Sequence, residues 1–267
     1  MASLNPPVRD WTSRTVWIVG ASSGIGRALA SQLGAKGARV VVSARREDEL
    51  QTIVPAPFMY LACDIGQPES VDHALSTMQS TNAIPDMVLW VAGVYHPMHS
   101  ADLDFEQVKQ TFDINVLSAY YAQAKLVKLW QAQRAHAPNG STPHWVLVSS
   151  VAGYSGLPQA SAYGASKAAL TYLAEVAYLE LGQHGIAVSV VNPGFVDTRL
   201  TQKNDFKMPS IISTDEAAQE TIRGIEKGQF EIHYPRRFTR WLKLLRILPY
   251  SLYFKIIRTT LPRPPTT

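Results

Sequence analysis

Tyr163 and Lys167 stand four positions apart in "SAYGASK" (161–167), with only Gly164, Ala165 and Ser166 between them. On a helix, positions i and i+4 share one face, so the phenol oxygen and the ammonium can approach a common point, as a proton-transfer pair requires. A surface polar pair on an amphipathic helix has the same spacing, so the rest of the chain must decide between the two. A second stretch with chemical content is "GASSGIG", from Gly20 to Gly26, which follows the apolar run "TVWIV" directly and leads into a helical pattern. Glycines there permit a tight turn and close backbone approach, and a helix N-terminus offers unpaired N–H groups and positive dipole to a pyrophosphate. The strand-turn-helix setting points to dinucleotide binding rather than to a merely structural turn, although the spacing is G-x-x-x-G-x-G.

Elements that could position these residues are legible along the chain. Strands are expected at 15–21, 38–44, 58–64, 86–93, 144–150, 186–194 and 230–235, and all are apolar almost throughout, as strands buried on both faces are. Helices are expected at 24–36, 68–80, 104–135, 161–184 and 214–228, with Pro68 and Thr214 as start signals. Regular alternation of the two implies right-handed crossovers and a doubly wound α/β domain with a seven-stranded parallel sheet. With 267 residues, 46% of them hydrophobic, one such domain is the expectation. The single Cys63 rules out an intrachain disulfide, and there is no Cys/His cluster at metal-ligand spacing; both favour a reducing compartment and a metal-free site. "MASLNPPVRDW" lacks a basic segment followed by an apolar run, and no window reaches the roughly 18 apolar residues of a spanning helix. The protein is therefore expected to be cytoplasmic, soluble or peripheral to a membrane.

Taken together, "GASSGIG", "FDIN", "SSVAGYSGLPQASAYGASKAAL" and "VNPGFVDT" resemble, in order and spacing, the motifs of the short-chain dehydrogenase/reductase family, over roughly residues 14 to 235. The resemblance implies a Rossmann-like domain at 1–235, an oxidoreductase activity and a catalytic set of Asn115, Ser150, Tyr163 and Lys167. A carbonyl that receives hydride develops negative charge on oxygen and must take a proton, and a free tyrosine, with a pKa near 10, is a poor base at neutral pH without a nearby cation. In the family pattern Tyr163 is general acid or base, Lys167 lowers its pKa and holds the nicotinamide ribose, and Ser150, thirteen residues before Tyr163, binds the substrate oxygen. Asn115 would hold a water linking Lys167 to solvent, or satisfy buried backbone groups. Ser149 competes with Ser150, although strand alternation sends the two to opposite faces. The small residues of "GASK" would let cofactor and substrate approach the helix.

Cofactor contacts implied by the resemblance are Gly20, Ser22, Ser23, Gly24, Ile25, Gly26, Asp64, Ile65, Ala92, Gly93, Pro193, Gly194, Val196 and Thr198, together with Tyr163 and Lys167. Asp64 would meet the adenine or cap its strand; Thr198 would donate to the carboxamide. The second strand ends in Ala44, where the family's NAD-type acid usually stands, followed by Arg45 and Arg46, which favours NADP(H) over NAD(H). Ser23 weighs against this, because many NADP-preferring relatives carry a basic residue there. Ser150, Tyr154, Leu157, Tyr163 and Phe195 would line the substrate pocket, with Tyr95, His96, Leu200 and Met208 near it and residues 195–212 as a lid. Such an apolar, aromatic wall suits a lipophilic ketone, aldehyde or alcohol. Two positions depart from the family pattern: Val19 replaces a usual Thr, and "WVAG" (90–93) replaces Asn-Asn-Ala-Gly, so apolar contacts involving Val19 and Val91 are expected to replace a polar link between neighbouring strands.

Charge is unevenly distributed. Residues 236–267 hold eight of the 25 Lys and Arg and none of the 21 Asp and Glu, so the body is net −4 and the extension +8. Arg237, Arg240, Lys243 and Arg246 recur every three residues among Trp241, Leu242, Leu244, Leu245 and Leu248, which predicts a basic amphipathic helix broken at Pro249. Such a helix either lies on an anionic membrane or partner, here through 236–260, or packs on its own domain and closes the pocket. Confinement of the bases to this segment argues against a nucleic-acid binder. A catalytically idle cofactor sensor or scaffold is the rival to an enzyme, and the complete catalytic set argues against it. Family members often pair through the helices here at 104–135 and 161–184, which implies a homodimer.

Overall fold

The structure is a computed structural model that describes residues 3–53, 56–133, 141–203 and 208–260. Seven strands, β1 (Thr15–Val19), β2 (Arg39–Ala44), β3 (Met59–Ala62), β4 (Met87–Trp90), β5 (His144–Val148), β6 (Ala187–Pro193) and β7 (Glu231–Tyr234), form one parallel sheet in the order 3-2-1-4-5-6-7. The five central strands are buried almost throughout, as the apolar runs demand, whereas β7 at one edge alternates between buried and half-buried residues. The order reverses between β1 and β4, and in such sheets ligands bind in the crevice beyond the strand ends at that reversal.

Helices α1 (Gly24–Ala35), α2 (Pro68–Ser80), α3 (Phe105–Phe112), α4 (Ser118–Gln133), α5 (Ser161–Leu181) and α6 (Thr214–Glu226) cover both faces. Leu29 and Leu33 of α1 and Ile222 and Ile225 of α6 fill one core layer. Met78 of α2, Leu126 and Trp130 of α4 and Leu173 of α5 fill the other. Trp17, Trp90 and Trp145, on adjacent strands, form the centre of this second layer with ring centroids 6.1 and 5.7 Å apart. Val19 packs in the same layer as Trp90, while Val91 packs on the opposite face. The apolar contacts of Val19 and Val91 thus fall on opposite faces: Trp90 stands beside Val19 in the register, and Val91 and Ala92 are tied to β1 by backbone, both N–H groups donating to the Val19 carbonyl at 3.0 and 2.9 Å.

The long helix expected at 104–135 is broken. Asp104 caps α3 by accepting from the Gln107 N–H, and a π-helical turn at Asp113–Leu117 separates α3 from α4; residues 134–135 lie outside the described residues. The helix expected at 161–184 ends as α5, a 3-10 turn at Gly182–His184 and the left-handed Gly185. At α6 the start signal is Ser213 rather than Thr214, in a reciprocal capping box with Glu216. Beyond the sheet, α7 (Arg236–Arg246) and α8 (Tyr250–Arg258) break at Pro249 and pack back on the body through buried Thr239, Leu245 and Tyr253. Residues 204–207 of the expected lid and 261–267 of the extension lie outside the described residues.

Candidate active site

β1 ends at Val19 and the chain turns at Gly20, whose φ of +91° only glycine adopts without strain. Contact also excludes a side chain here: a Cβ on Gly20 would lie 2.7 Å from the Ala92 backbone, and one on Gly26 only 2.2 Å from the Gly20 carbonyl oxygen. The turn thus presses α1 against the loop after β4. Ser23 occupies the N-cap of α1 with extended backbone and makes no capping bond, and the first turn has no acid. Its N–H groups are left to an outside acceptor, which suits a pyrophosphate. Gly24 faces Thr198, so three segments expected from sequence to hold the cofactor meet at one place.

At the far end of this crevice Arg45, Asp64 and Ile114 line an open cleft of about 520 Å³. Asp64 Oδ1 accepts from the Gly66 N–H at 3.0 Å, which makes it a cap for the turn after β3. Arg46 pairs with Glu49, whereas Arg45 is exposed and has no ion-pair partner among the described residues. Ile65 is buried beside them.

The catalytic candidates converge at the ends of β4 and β5. Chain direction after β5 separates the two serines. Ser149 Oγ donates to the Lys167 carbonyl at 2.6 Å and touches Thr171 Oγ1 at 3.0 Å, turning into the α5 packing. Ser150 turns the other way, accepts from the Ala152 N–H at 3.1 Å and lies beside the Tyr163 phenol. Lys167 is 3% exposed and donates from Nζ to the Val148 carbonyl at 2.9 Å. Burial brings its ammonium down to about 8. Burial also pushes the Tyr163 phenol up to about 12, against a smaller opposing pull from Ser150, with Tyr95 adding slightly to the rise. The Tyr95 ring packs edge-on against Tyr163 at 4.8 Å.

Asn115 sits on the π-helical turn, fully buried. Its Oδ1 accepts from the Val94 N–H at 2.8 Å, and its Nδ2 donates to the Val94 carbonyl at 3.0 Å and to Ser166 Oγ at 3.0 Å. Of the two roles open in the sequence, this geometry is that of the backbone clamp: it pins the loop after β4 to α5. A Cβ on Gly93 would come within 3.0 Å of Asn115 Oδ1 and 3.4 Å of Lys167 Nζ, so a bare glycine keeps that space open.

The glycines around Tyr163 also serve packing within the protein. A Cβ on Gly164 would lie 2.9 Å from the Ala152 carbonyl oxygen, and one on Gly153 would lie 2.7 Å from the Ala168 N. These glycines let the 3-10 turn at Val151–Gly153 press directly on α5, which fixes Ser150 relative to Tyr163.

On the substrate side, Tyr154 donates to Glu231 Oε1 at 2.6 Å, so its polar end is turned toward β7. Glu231 also accepts from Asn192 Nδ2 at 3.0 Å and pairs with Lys243 of α7. Burial alone would raise the Glu231 carboxyl, but its bonds from Lys243, Tyr154 and Asn192 outweigh that and hold it below the usual range. Phe195 packs against Phe238 of α7 with tilted rings 5.6 Å apart, close to Gly194, and Leu157 is half-buried nearby in sequence to Gly156, whose carbonyl accepts from Tyr253 of α8 at 2.7 Å. Pro193 closes β6, and Val196 is buried and bridges to Ile212. Ser22 and Ile25 lie in the glycine turn and at the start of α1. Sequence reasoning missed Glu231, Asn192, Ser166 and the pairing of Lys243. An acid inside an otherwise apolar strand was the available signal for Glu231.

The family profile described as short chain dehydrogenase matches residues 14–208. An uncharacterized oxidoreductase of Myxococcus xanthus is 30% identical over 251 residues, covering 91% of this chain and 96% of the relative. A second uncharacterized oxidoreductase, from Staphylococcus aureus, is 28% identical over 195 residues, 71% of this chain and 81% of its own. Among solved structures, a short chain dehydrogenase of Burkholderia cenocepacia in complex with NADP superposes with a TM-score of 0.78 at 22% identity, covering 92% of this chain and 98% of that one. A 3-ketoacyl-(acyl-carrier-protein) reductase of Brucella melitensis complexed with NADH gives 0.74 at 22% identity, covering 83% and 96%. The profile spans most of the chain and the Myxococcus relative nearly all of it, so this chain belongs to the short-chain dehydrogenase family of NAD(P)-dependent oxidoreductases.

Proposed function

We propose that the protein is an NADP(H)-dependent carbonyl reductase that interconverts a lipophilic ketone or aldehyde and its alcohol. The observation that carries this reading is a convergence of side chains: the Tyr163 phenol lies beside Ser150, with the buried Lys167 ammonium 5.6 Å from its ring centre, and burial keeps the phenol protonated. A nicotinamide cofactor, when bound, would supply hydride to the carbonyl carbon. Tyr163 gives its proton to the carbonyl oxygen as negative charge develops there, and in the reverse direction takes it back. Ser150 orients that oxygen, and the Lys167 ammonium, charged below about 8, favours the developing negative charge. Asn115 and Ser166 hold the Val94 loop against α5 so that these groups keep their spacing.

Gly20, Ser22, Ser23, Gly24, Ile25 and Gly26 would hold the pyrophosphate, and Asp64, Ile65, Ala92, Gly93, Pro193, Gly194, Val196 and Thr198 the rest of the cofactor. Preference for NADP(H) rests on Arg45, which no acid neutralises among the described residues and which therefore suits a 2′-phosphate. Tyr154, Leu157 and Phe195 would form an apolar wall for substrate, since the Tyr154 hydroxyl is spent on Glu231. A second copy of the chain would cover Leu117, Tyr120, Tyr172 and Leu179, apolar residues of the π-turn, α4 and α5 that are all exposed. Peripheral membrane contact through 236–260 and a cytoplasmic setting, compatible with the single buried Cys63, complete the reading.

The experiment is NADPH and NADH oxidation across a panel of lipophilic ketones and aldehydes, with Tyr163→Phe as control. Turnover that prefers NADPH and disappears in the variant is expected. Turnover that survives Tyr163→Phe overturns the proton-donor assignment, and tight NADPH binding without turnover on any member shifts the reading to a cofactor-sensing scaffold.

A further inference from the structure

The two faces of the C-terminal helix pair differ sharply. Inward, α7 and α8 bury Thr239, Leu245 and Tyr253, pack Phe238 against Phe195 and pair Lys243 with Glu231. Outward, successive residues of α7 and its C-cap at 100° per step bring Arg237, Arg240, Trp241, Leu244 and Ile247 to one side, and all five are exposed. Trp241 is 52% exposed and Ile247 76%; on α8, Tyr250 is 77% exposed and its ring stacks on the exposed Phe254 at 5.5 Å. The six exposed bases Arg236, Arg237, Arg240, Arg246, Lys255 and Arg258 make no ion pair among the described residues, and the chain has no acid after Glu231.

We propose that this outward face docks on an anionic lipid bilayer and that the docked helix pair forms the membrane-side wall of the substrate pocket. Charge selects the occupant. A second copy meeting this face symmetrically would set cation against cation, whereas anionic headgroups complement the unpaired bases Arg236, Arg237, Arg240, Lys255 and Arg258, and Trp, Tyr, Phe, Leu and Ile between them match the boundary between headgroups and acyl chains. No helix among the described residues is long and apolar enough to cross a membrane, so the contact is peripheral. Position gives the contact its consequence. Residues one layer beneath the docked face, Phe238, Lys243 and Tyr253, contact Phe195, Glu231 and Gly156, so a carbonyl compound dissolved in the bilayer would reach the pocket beside α7 and α8. The docking deepens the peripheral contact proposed above for 236–260, and this last step rests in addition on the carbonyl-reductase reading.

The test is flotation of the full chain with vesicles of phosphatidylcholine alone and of phosphatidylcholine mixed with phosphatidylglycerol, at physiological ionic strength. Binding only to the mixed vesicles is expected. Arg237→Gln with Arg240→Gln should weaken it about thirtyfold, at roughly a fivefold loss per surface cation, without moving the melting temperature, because both side chains are exposed. A second readout uses Trp241, the one exposed tryptophan of six, the other five being buried: lipids with brominated acyl chains should quench its emission selectively. Absence of binding to mixed vesicles, equal binding to neutral ones, or binding untouched by the double substitution overturns the proposal. Loss of self-association in the double variant, with no lipid binding by either protein, assigns the face to a second copy instead. Turnover of a water-soluble aldehyde without vesicles tests the carbonyl-reductase reading separately, so the failure of one is distinguishable from the failure of the other.

Discussion

Tyr163 and Lys167, one turn apart on α5, are driven in opposite directions by the same burial: the phenol is pushed up to about 12 and the ammonium down to about 8. Lys167 Nζ lies 5.6 Å from the centre of the tyrosine ring and is bonded to the Val148 carbonyl. The lysine expected from sequence to lower the phenol pKa is thus not what sets it here. Burial dominates, and it leaves a proton donor next to a cation whose charge is conditional on pH.

One consequence is a pH profile. For carbonyl reduction, kcat/KM should be level from pH 6 to 7.5 and fall above about 8 as Lys167 loses its proton, while Tyr163 stays protonated throughout. A rate that climbs through pH 8 to 9 would show that a deprotonated group, not the Lys167 ammonium, limits the reaction.

Lys167 should also cost stability. Its pKa is depressed from 10.5 to about 8, so the unfolded chain binds the extra proton between those values and the penalty is full below about 8 and fades as pH rises to 10.5. At pH 7 that penalty is of order 3 kcal/mol. Lys167→Met is expected to raise the melting temperature by a few degrees at pH 7, by less at pH 10, and to abolish turnover. A melting temperature lowered equally at both pH values would argue that the bond to Val148 outweighs the buried charge.

Arg45 should decide the cofactor. Because it stands outside any ion pair among the described residues, Arg45→Asp removes one charge-assisted partner of a 2′-phosphate, and the ratio of NADPH to NADH kcat/KM should fall by roughly ten- to a hundredfold. Arg46→Asp, at a residue already occupied by Glu49, should change it far less. The reverse order would transfer the role to Arg46.

His144 predicts acid sensitivity. It lies fully buried on β5 with Nε2 against Ser189 Oγ at 2.9 Å, and burial, helped by Arg14, brings its pKa down to about 3. The unfolded chain therefore takes a proton at about 6.5 that the fold refuses, and stability present above that pH is lost as pH falls toward 3, by up to about 1.4 kcal/mol per pH unit. Melting temperatures of wild type and His144→Gln measured from pH 7.5 to 5 should converge as the pH falls. Parallel curves would assign the acid loss to other groups.

Periodicity and glycine placement carried much of this protein openly. Apolar runs named all seven strands, because the five central strands are buried on both faces and carry few polar residues, and "GASSGIG" named the turn, because only glycine satisfies φ at Gly20 and contact at Gly26. Spacing likewise chose Ser150 over Ser149, since alternation after β5 sends them apart. Other features depended on partners distant in sequence. No local pattern reveals that a π-helical turn directs Asn115 onto Val94, that Val19 and Val91 pack on opposite faces of the sheet, or that Gly164 lets Ala152 press on α5. The C-terminal helices make the same distinction within one element. Their amphipathic pattern was fully written in the residues, but which face met the body was settled by Lys243 reaching Glu231 and Tyr253 reaching Gly156, contacts that exist only once β7 has closed the sheet.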